Sequence, residues 1–453
     1  MADAVNLVIL GASGDLTRRL LLPGLGTLLT AEPKRAVHLI GAAADELTQQ
    51  QWQQRVAEAL RDGGSDARAI DTLIAATTYA RMDATSADDL GTLLGGLTGP
   101  VVLYFALPPA ISMKTCEALS RLTLPDQLSL AIEKPFGTDP SSAQRFNRLL
   151  TGLVPENRVF RVDHFLGKST ILNLLGLRFT NRFFEPVWNR ENVDRIEIVA
   201  DETLALEGRA GYYDHSGALK DMIQSHLLLV MALLCMEPPN RIAAEDLRSL
   251  QADVLRATRL WQDDPVQASR RARYTAGRID GRDVPDYVDE PGVDPARCTE
   301  TLAEVTVEIH SARWHGVPIR LRSGKALGDG VRAISVVFQN AFQPEGFHDQ
   351  AQPNVVVIGM ADESLQVRVN TNGADDKFTL EETVLSADLG DSPIRPYGEI
   401  LAHIMDADPL LSVRGDVAED CWRILGPVLD AWNADRVPLD EYRAGSSGPT
   451  NWN

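Results

Sequence analysis

Eight consecutive residues, Arg161-Val162-Asp163-His164-Phe165-Leu166-Gly167-Lys168, place an acid, an imidazole and an ammonium close together. An ionised Asp163 only accepts hydrogen bonds, Lys168 only donates, and His164 does either near neutral pH. Lys168 follows His164 by four residues, so a helix starting here would turn both side chains to one face. Two cations on one face suit a dianionic group such as a phosphate ester. The plain alternative is a charged helix entry where two domains join.

A second dense stretch is Glu207-Gly208-Arg209-Ala210-Gly211-Tyr212-Tyr213-Asp214, continuing to Lys220-Asp221-Met222-Ile223-Gln224-Ser225-His226. From Ser216 to Met236 the pattern is helical and strongly apolar, and Asp221 and His226 interrupt it. A single histidine in such a helix is commonly a satisfied core residue. An imidazole held by a carboxylate is also how a general base is fixed in one tautomer, and Asp163 would supply that carboxylate. Spacing alone does not show whether Asp163 and His226 meet.

The elements that would position these residues alternate in type. Val5 to Leu10 (VNLVIL) is a continuous apolar run, expected of a buried parallel strand. Gly11-Ala12-Ser13-Gly14-Asp15-Leu16 follows at once, then a helical pattern on Leu16, Leu20, Leu21, Leu25 and Leu28. Such a glycine turn lets backbone approach a pyrophosphate, and the helix start offers unpaired N–H groups. Its GxxGD spacing falls short of the full dinucleotide fingerprint, and a tight turn without a ligand is the alternative.

Val37 to Gly41, Val101 to Leu107 (stopped by Pro108-Pro109), Leu128 to Ile132 and Val159 to Val162 read as further strands, with a polar helix over Glu46 to Arg61. Strands alternating with helices predict a doubly wound parallel sheet, whose ligands sit at the carboxyl ends of the strands. The glycine turn, Pro108, Lys134 and Asp163-His164 all fall at such ends.

Beyond residue 170 the texture changes. Helical stretches at Ile171 to Phe179, Ser216 to Met236 and Ala243 to Arg256 precede alternating runs at Ala303 to His310, Pro318 to Leu321, Ala333 to Phe338, Asn354 to Ile358 and Leu365 to Asn370. This order predicts an α+β domain on a large, mostly antiparallel sheet backed by helices. Asp280 to Asp294 reads as an exposed loop, Tyr397 to Trp432 as helix and Ala444 to Pro449 as a polar tail. The domains expected are 1–165 and 166–453.

The composition bounds the class. A net charge of −19 over 453 residues argues against nucleic acid as a partner, since that needs a basic face. No apolar run reaches the roughly 20 residues that span a bilayer, so no membrane partner is expected. The first residues carry no basic n-region, so a cytoplasmic location is expected. Cys116, Cys235, Cys298 and Cys421 stand far apart, without a CxxC pair or histidines beside them, so they read as reduced thiols and no metal site is expected.

Taken together, GASGDLTRRLLLPGL (11–25), YFALPP (104–109), IEKPFG (132–137), RVDHFLGK (161–168), FEPVWNR (184–190), EGRAGYYDHSGALKDMIQSHLLLV (207–230), MEPP (236–239) and GVPIRLRSGKAL (316–327) resemble the glucose-6-phosphate dehydrogenase family. The resemblance runs in order along nearly the whole chain. It implies a Rossmann-like nucleotide-binding domain followed by a large-sheet domain, in agreement with the reading from the residues.

The resemblance also implies roles. His226 would take the proton from the sugar C1 hydroxyl, with Asp163 orienting it. His164 and Lys168 would bind the 6-phosphate, Glu202, Asp221 and Lys325 the sugar, and Lys134 would sit where sugar and nicotinamide meet. Pro135 matches a hinge between the domains. The cofactor, NADP or NAD, would lie against Gly11, Ser13, Gly14, Asp15, Leu16, Asp45, Tyr104, Pro108 and Lys134. A homodimer or homotetramer is implied.

The chain departs from the family pattern at several places. Phe165 stands where most members have tyrosine, Ser169 follows the lysine where an acid is usual, and Gly330 replaces a cation, although Arg332 is close. After the second strand, Ala44-Asp45 replaces the arginine that pairs with an NADP 2′-phosphate, and Leu20 replaces a lysine in the first helix. A carboxylate there favours a free ribose 2′-hydroxyl, unless Asp45 serves only as a helix cap. Arg18 and Arg19 offer compensating charge. Two alternatives follow: oxidation of another aldose or hexose phosphate, and a non-catalytic nucleotide-binding regulator.

Overall fold

A computed structural model describes residues 4–390 and 392–452. Its residues divide into two compact units. The first takes Met1–Ser169, Pro239–Ala252 and Ser392–Trp422, and the second takes Thr170–Pro238, Asp253–Asp391 and Arg423–Asn453.

In the first unit six apolar segments form parallel strands: β1 (Val5–Leu10), β2 (Val37–Ala43), β3 (Thr78–Arg81), β4 (Val101–Phe105), β5 (Leu128–Glu133) and β6 (Val159–Val162). Their order across the sheet is β3-β2-β1-β4-β5-β6, with a short antiparallel strand, Ser412–Val413, added beside β6. This is the doubly wound order, and its direction of winding reverses between β1 and β4. Alternate β1 side chains serve the two faces. Leu7 and Ile9 pack with Leu25, Leu28, Trp52 and Leu60, whereas Val8 and Leu10 pack with Leu90, Leu119, Phe146 and Leu150. Burial on both faces explains the unbroken apolar run.

The helix expected at Glu46 to Arg61 spans Gln49–Asp62. Thr48 caps it by accepting from the Gln51 N–H, while the Gln51 side chain accepts from the Thr48 N–H. This reciprocal cap makes Thr48, three residues past Asp45, the N-cap, so Asp45 is not the cap.

The second unit is built on a ten-stranded sheet. Its central strand β7 (Val193–Asp201) pairs antiparallel with Arg332–Phe338 and parallel with Ile319–Gly324. Outward from the former lie Val355–Gly359, Ser364–Asn372 and Leu380–Asp388, all antiparallel. Outward from the latter lie Leu302–Ile309, then Ser269–Thr275, then Leu439–Arg443, the last pair parallel. The five strands read from sequence are all present. β7 escaped that reading because Asp194, Arg195 and Glu197 break its alternation.

The segment expected as an exposed loop and the one expected as a polar tail are both ordered into the fold. Within Asp280 to Asp294, Arg282–Val284 pairs with Gly277–Ile279, and Tyr287 is buried with its hydroxyl donated to Asp214 at 2.8 Å. The tail at Ala444 to Pro449 is held by Gly328 N–H to Ser446 O and by Arg322 to Ser447 O, both at 2.8 Å. Among the described residues one helical stretch, Ala210–Cys235, is long and apolar enough to cross a membrane, and 83% of its apolar window is buried.

Candidate active site

The glycine turn leaves β1 at the reversal of the sheet. Gly11 has φ +83°, and a Cβ there would stand 2.2 Å from Ala106 O just past β4. Only glycine lets the two chain segments approach so closely. Gly11 N–H donates to Ala42 O at 2.8 Å, and Gly14 N–H closes the turn on Gly11 O at 3.0 Å. The helix opens at Asp15-Leu16, passes through a π turn at Thr17–Leu21 and continues as the regular helix Leu22–Ala31. Ser13 lies on the glycine turn, Leu16 in the helix start after it is half-buried, and Asp15 pairs with Arg19 at 3.2 Å on the exposed side. One of the two compensating arginines is therefore held by a neighbouring acid.

Asp45 is exposed just beyond β2, where its backbone carbonyl accepts from the Tyr79 hydroxyl at 2.7 Å. The parallel register sets Ala43 beside Arg81, which pairs with Glu46 at 3.2 Å. Sequence reasoning missed Arg81, a cation that only strand pairing brings to the end of β2. Pro108 precedes the helix Pro109–Leu119 as its N-cap residue.

Tyr104 is fully buried and donates its hydroxyl to Glu133 at 2.5 Å. Its side chain therefore braces the end of β5, directly before Lys134 and its cis bond to Pro135. Burial pushes the Glu133 carboxyl up to about 7, although the hydroxyls of Tyr104 and Tyr397 and the Lys134 charge pull it down. Glu133, although part of the IEKPFG motif, and Tyr397 were given no role in the sequence because an acid and a tyrosine 264 residues further on carry no joint pattern.

The segment after β6 differs from the α-helical start expected. Asp163, fully buried, accepts the Phe165 N–H at 3.0 Å and caps a 3₁₀ turn over His164–Gly167. Lys168 is then extended, and the α-helix begins only at Ser169–Phe179. His164 and Lys168 consequently do not share an α-helical face. The turn ends on a residue that only glycine can supply, since a Cβ on Gly167 would stand 2.5 Å from Pro396 O. The His164 ring stacks on Tyr397 with centroids 5.5 Å apart and 17° between planes. The Lys168 ammonium lies 4.2 Å from the centroid of the Phe165 ring. Asp163, His164 and Lys168 thus stand on one rigid turn of the first unit.

In the second unit, Glu202 follows β7 and Lys325 follows Ile319–Gly324. Lys325 Nζ reaches Glu202 at 2.5 Å, and Arg332 holds the other carboxylate oxygen at 2.8 Å. The Tyr442 hydroxyl fixes the Lys325 backbone carbonyl at 2.6 Å. Asp221 and His226 lie on a π segment, Leu219–Leu227, inserted between the helices Ala210–Ala218 and Leu228–Cys235. Bonds from i to i+5 set His226 one turn above Asp221, so the five-residue spacing that fits poorly on an α-helix falls on one side here. His226 is 1% exposed, while Asp221 is half-buried and accepts from Tyr212 Oη at 3.1 Å.

Residues 8–173 match the family described as "Glucose-6-phosphate dehydrogenase, NAD binding domain", and residues 175–453 match "Glucose-6-phosphate dehydrogenase, C-terminal domain". The chain is 35% identical to the glucose-6-phosphate 1-dehydrogenase of Treponema pallidum, over 98% of this chain and 92% of that one. It is 36% identical to that of Gluconobacter oxydans, over 99% and 95%. A solved glucose-6-phosphate 1-dehydrogenase from Mycobacterium avium superposes with a TM-score of 0.87 at 31% identity, covering 100% of this chain and 96% of that one. A glucose-6-phosphate dehydrogenase solved with glucose 6-phosphate superposes at 0.88 with 27% identity and the same coverage. The chain belongs to the glucose-6-phosphate dehydrogenase family.

Proposed function

We propose that this chain oxidises D-glucose 6-phosphate at C1 to 6-phospho-D-glucono-1,5-lactone with reduction of NADP or NAD, the entry step of the oxidative pentose phosphate pathway. The observation that carries the reading is similarity to glucose-6-phosphate 1-dehydrogenases over almost the full length of both chains. The glycine turn at the β1/β4 reversal, with Gly11 pressed against Ala106, suits the pyrophosphate of a dinucleotide. A bound nicotinamide supplies the hydride acceptor.

On this reading His226 takes the proton from the C1 hydroxyl, which lets C1 release its hydride, and Asp163 orients the imidazole and stabilises its cation. His164 and Lys168 hold the 6-phosphate. Glu202, Asp221 and Lys325 bind the sugar hydroxyls, and Lys134 serves both sugar and cofactor. The boundary falls near residue 165, between a nucleotide-binding and a substrate-binding domain. Assembly is as a homodimer or homotetramer, and the edge strand Leu380–Asp388, with Val384 and Leu385 exposed, supports pairing through the large sheet. The enzyme acts in the cytoplasm.

A second reading, oxidation of another aldose or hexose phosphate, is favoured by one observation. Arg332, the cation near Gly330, is committed to Glu202. Initial rates of nicotinamide reduction separate the readings, with glucose 6-phosphate, other hexose 6-phosphates and free glucose each tested against NADP and NAD. Preferred turnover of glucose 6-phosphate is expected. Preference for another sugar would favour the second reading, and no rate with any would overturn both.

A further inference from the structure

In the second unit, the strand Leu302–Ile309 ends in a tight turn that carries two of the chain's eight histidines. Glu308 and His310 are two residues apart along an extended chain and so project from the same face. The turn then brings His315 back to them. His310 Nε2 stands 3.1 Å from Glu308 Oε1, and His315 Nδ1 stands 3.8 Å from Glu308 Oε2. One ligand atom from each of the three residues lies within 4.8 Å of the others.

The frame under the cluster is fixed. His310 N–H donates to Ala257 O at 3.0 Å, and His315 N–H donates to Ser311 O at 3.0 Å. Between them Trp314 is buried, its indole N–H bonded to Cys235 O at 2.7 Å. Arg313 clamps the same turn through Trp188 O at 2.9 Å and Glu237 at 2.7 Å. Gly316, at φ +85°, supplies the left-handed residue that reverses the chain after His315.

Glu308 is nearly buried while both imidazoles face water, at 12%, 42% and 58% side-chain exposure. The cation opposite Glu308 in the strand register, Arg259, donates instead to the carbonyls of Arg256 and Thr258. Among the described residues, the ion-pair partners of the carboxylate are the two imidazoles.

We propose that Glu308, His310 and His315 form a binding site for a first-row transition metal, with zinc as the best fit. Two imidazoles and a carboxylate are a donor set suited to Zn²⁺, Co²⁺, Ni²⁺ or Cu²⁺, and poorly suited to Mg²⁺ or Ca²⁺, which take oxygen ligands. Ligands about 2.1 Å from a tetrahedral zinc stand about 3.4 Å from one another. Glu308 meets His310 through one oxygen at 3.1 Å and His315 through the other at 3.8 Å, and one ligand atom of each residue lies within 4.8 Å of the others, so side-chain rotation about this fixed frame is what brings all three to that spacing. The fourth position faces solvent and takes water. The cysteine-based search of the sequence passes over this site because its pattern, Glu-x-His-x₄-His, contains no cysteine.

The test uses the full chain without a histidine tag, stripped with chelator and dialysed against Zn²⁺ in a non-coordinating buffer containing Mg²⁺. One equivalent of retained zinc is expected, together with a zinc-dependent rise in Tm. Removing a ligand should weaken binding by no less than the ~10–100-fold known for outer-shell partners. His310→Ala and His315→Ala should both do so, and both should abolish the Tm response while turnover of glucose 6-phosphate is kept. Cys298→Ser, which removes the exposed thiol, should retain zinc. Stoichiometric zinc unchanged in the His310→Ala/His315→Ala double variant would overturn the proposal, as would the absence of retained zinc in the wild type.

Discussion

The backbone N–H of Leu219 is hydrogen-bonded at 3.0 Å to the buried carboxylate of Glu300. Gly217, two residues earlier, has φ +63° and ψ 178°, and a Cβ on it would stand 2.3 Å from that carboxylate. The glycine breaks the helix and Glu300 restarts it. The segment so started carries Asp221 and His226.

Gly217→Ala should therefore be costly on two counts. A positive φ for alanine and displacement of Glu300 each cost about 1–3 kcal/mol. The urea midpoint should fall, and turnover and substrate affinity should fall together, because the segment carries both His226 and Asp221. A variant with wild-type stability would show that the break needs no glycine.

The Tyr104–Glu133–Tyr397 group should show in the pH dependence of stability. Burial raises the Glu133 carboxyl from its ordinary 4.5 to about 7, so the native state binds that proton more tightly than the unfolded chain does. The stabilisation is complete below pH 4.5 and is lost as pH rises through 7. Across that window the wild type should lose about 3 kcal/mol relative to Glu133→Gln, which does not titrate. Urea midpoints at pH 5 and pH 7.5 for both proteins measure the difference. Parallel profiles would mean that Glu133 titrates normally.

The first unit was legible because strands buried on both faces leave continuous apolar runs such as Val5 to Leu10, separated by glycine and proline. β7 was not, because its charged residues alternate irregularly with its buried ones. The residues of the 161–168 stretch were visible, but their shape was not. Nothing local announces that Asp163 caps a 3₁₀ turn there, or that Gly167 packs against Pro396. Asp221 and His226 were found as polar breaks in an apolar helix, whereas the π segment that puts them on one side depends on Glu300 and Gly217. Partners far apart in the chain, such as Arg81 beside Ala43 or Tyr397 over His164, became visible only with the fold.

The end of β2 sets the cofactor prediction. Ala44 stands where the family pattern places an arginine, Asp45 is exposed beside it, and Arg81 is paired with Glu46. Ala44→Arg combined with Asp45→Ala removes a repelling carboxylate and adds a charged donor for a 2′-phosphate. A hydrogen bond to a charged group is worth about 1.5–3 kcal/mol, so kcat/KM for NADP relative to NAD should rise about 10–100-fold. An unchanged ratio would leave the end of β2 without a part in cofactor choice.

His226 offers the sharpest separation of chemistry from binding. It is 1% exposed on a segment whose other buried residues include Leu219, Ile223 and Leu227, so a small polar replacement fits its space. Asparagine keeps a hydrogen-bonding group but cannot take a proton near neutral pH. If His226 is the base at the C1 hydroxyl, His226→Asn should lower kcat about 10²–10⁴-fold while KM for glucose 6-phosphate changes little. His164→Asn should do the opposite, raising KM by way of the phosphate with a smaller effect on kcat. Near-normal turnover in His226→Asn would assign the histidine to the core and leave the proton to another group.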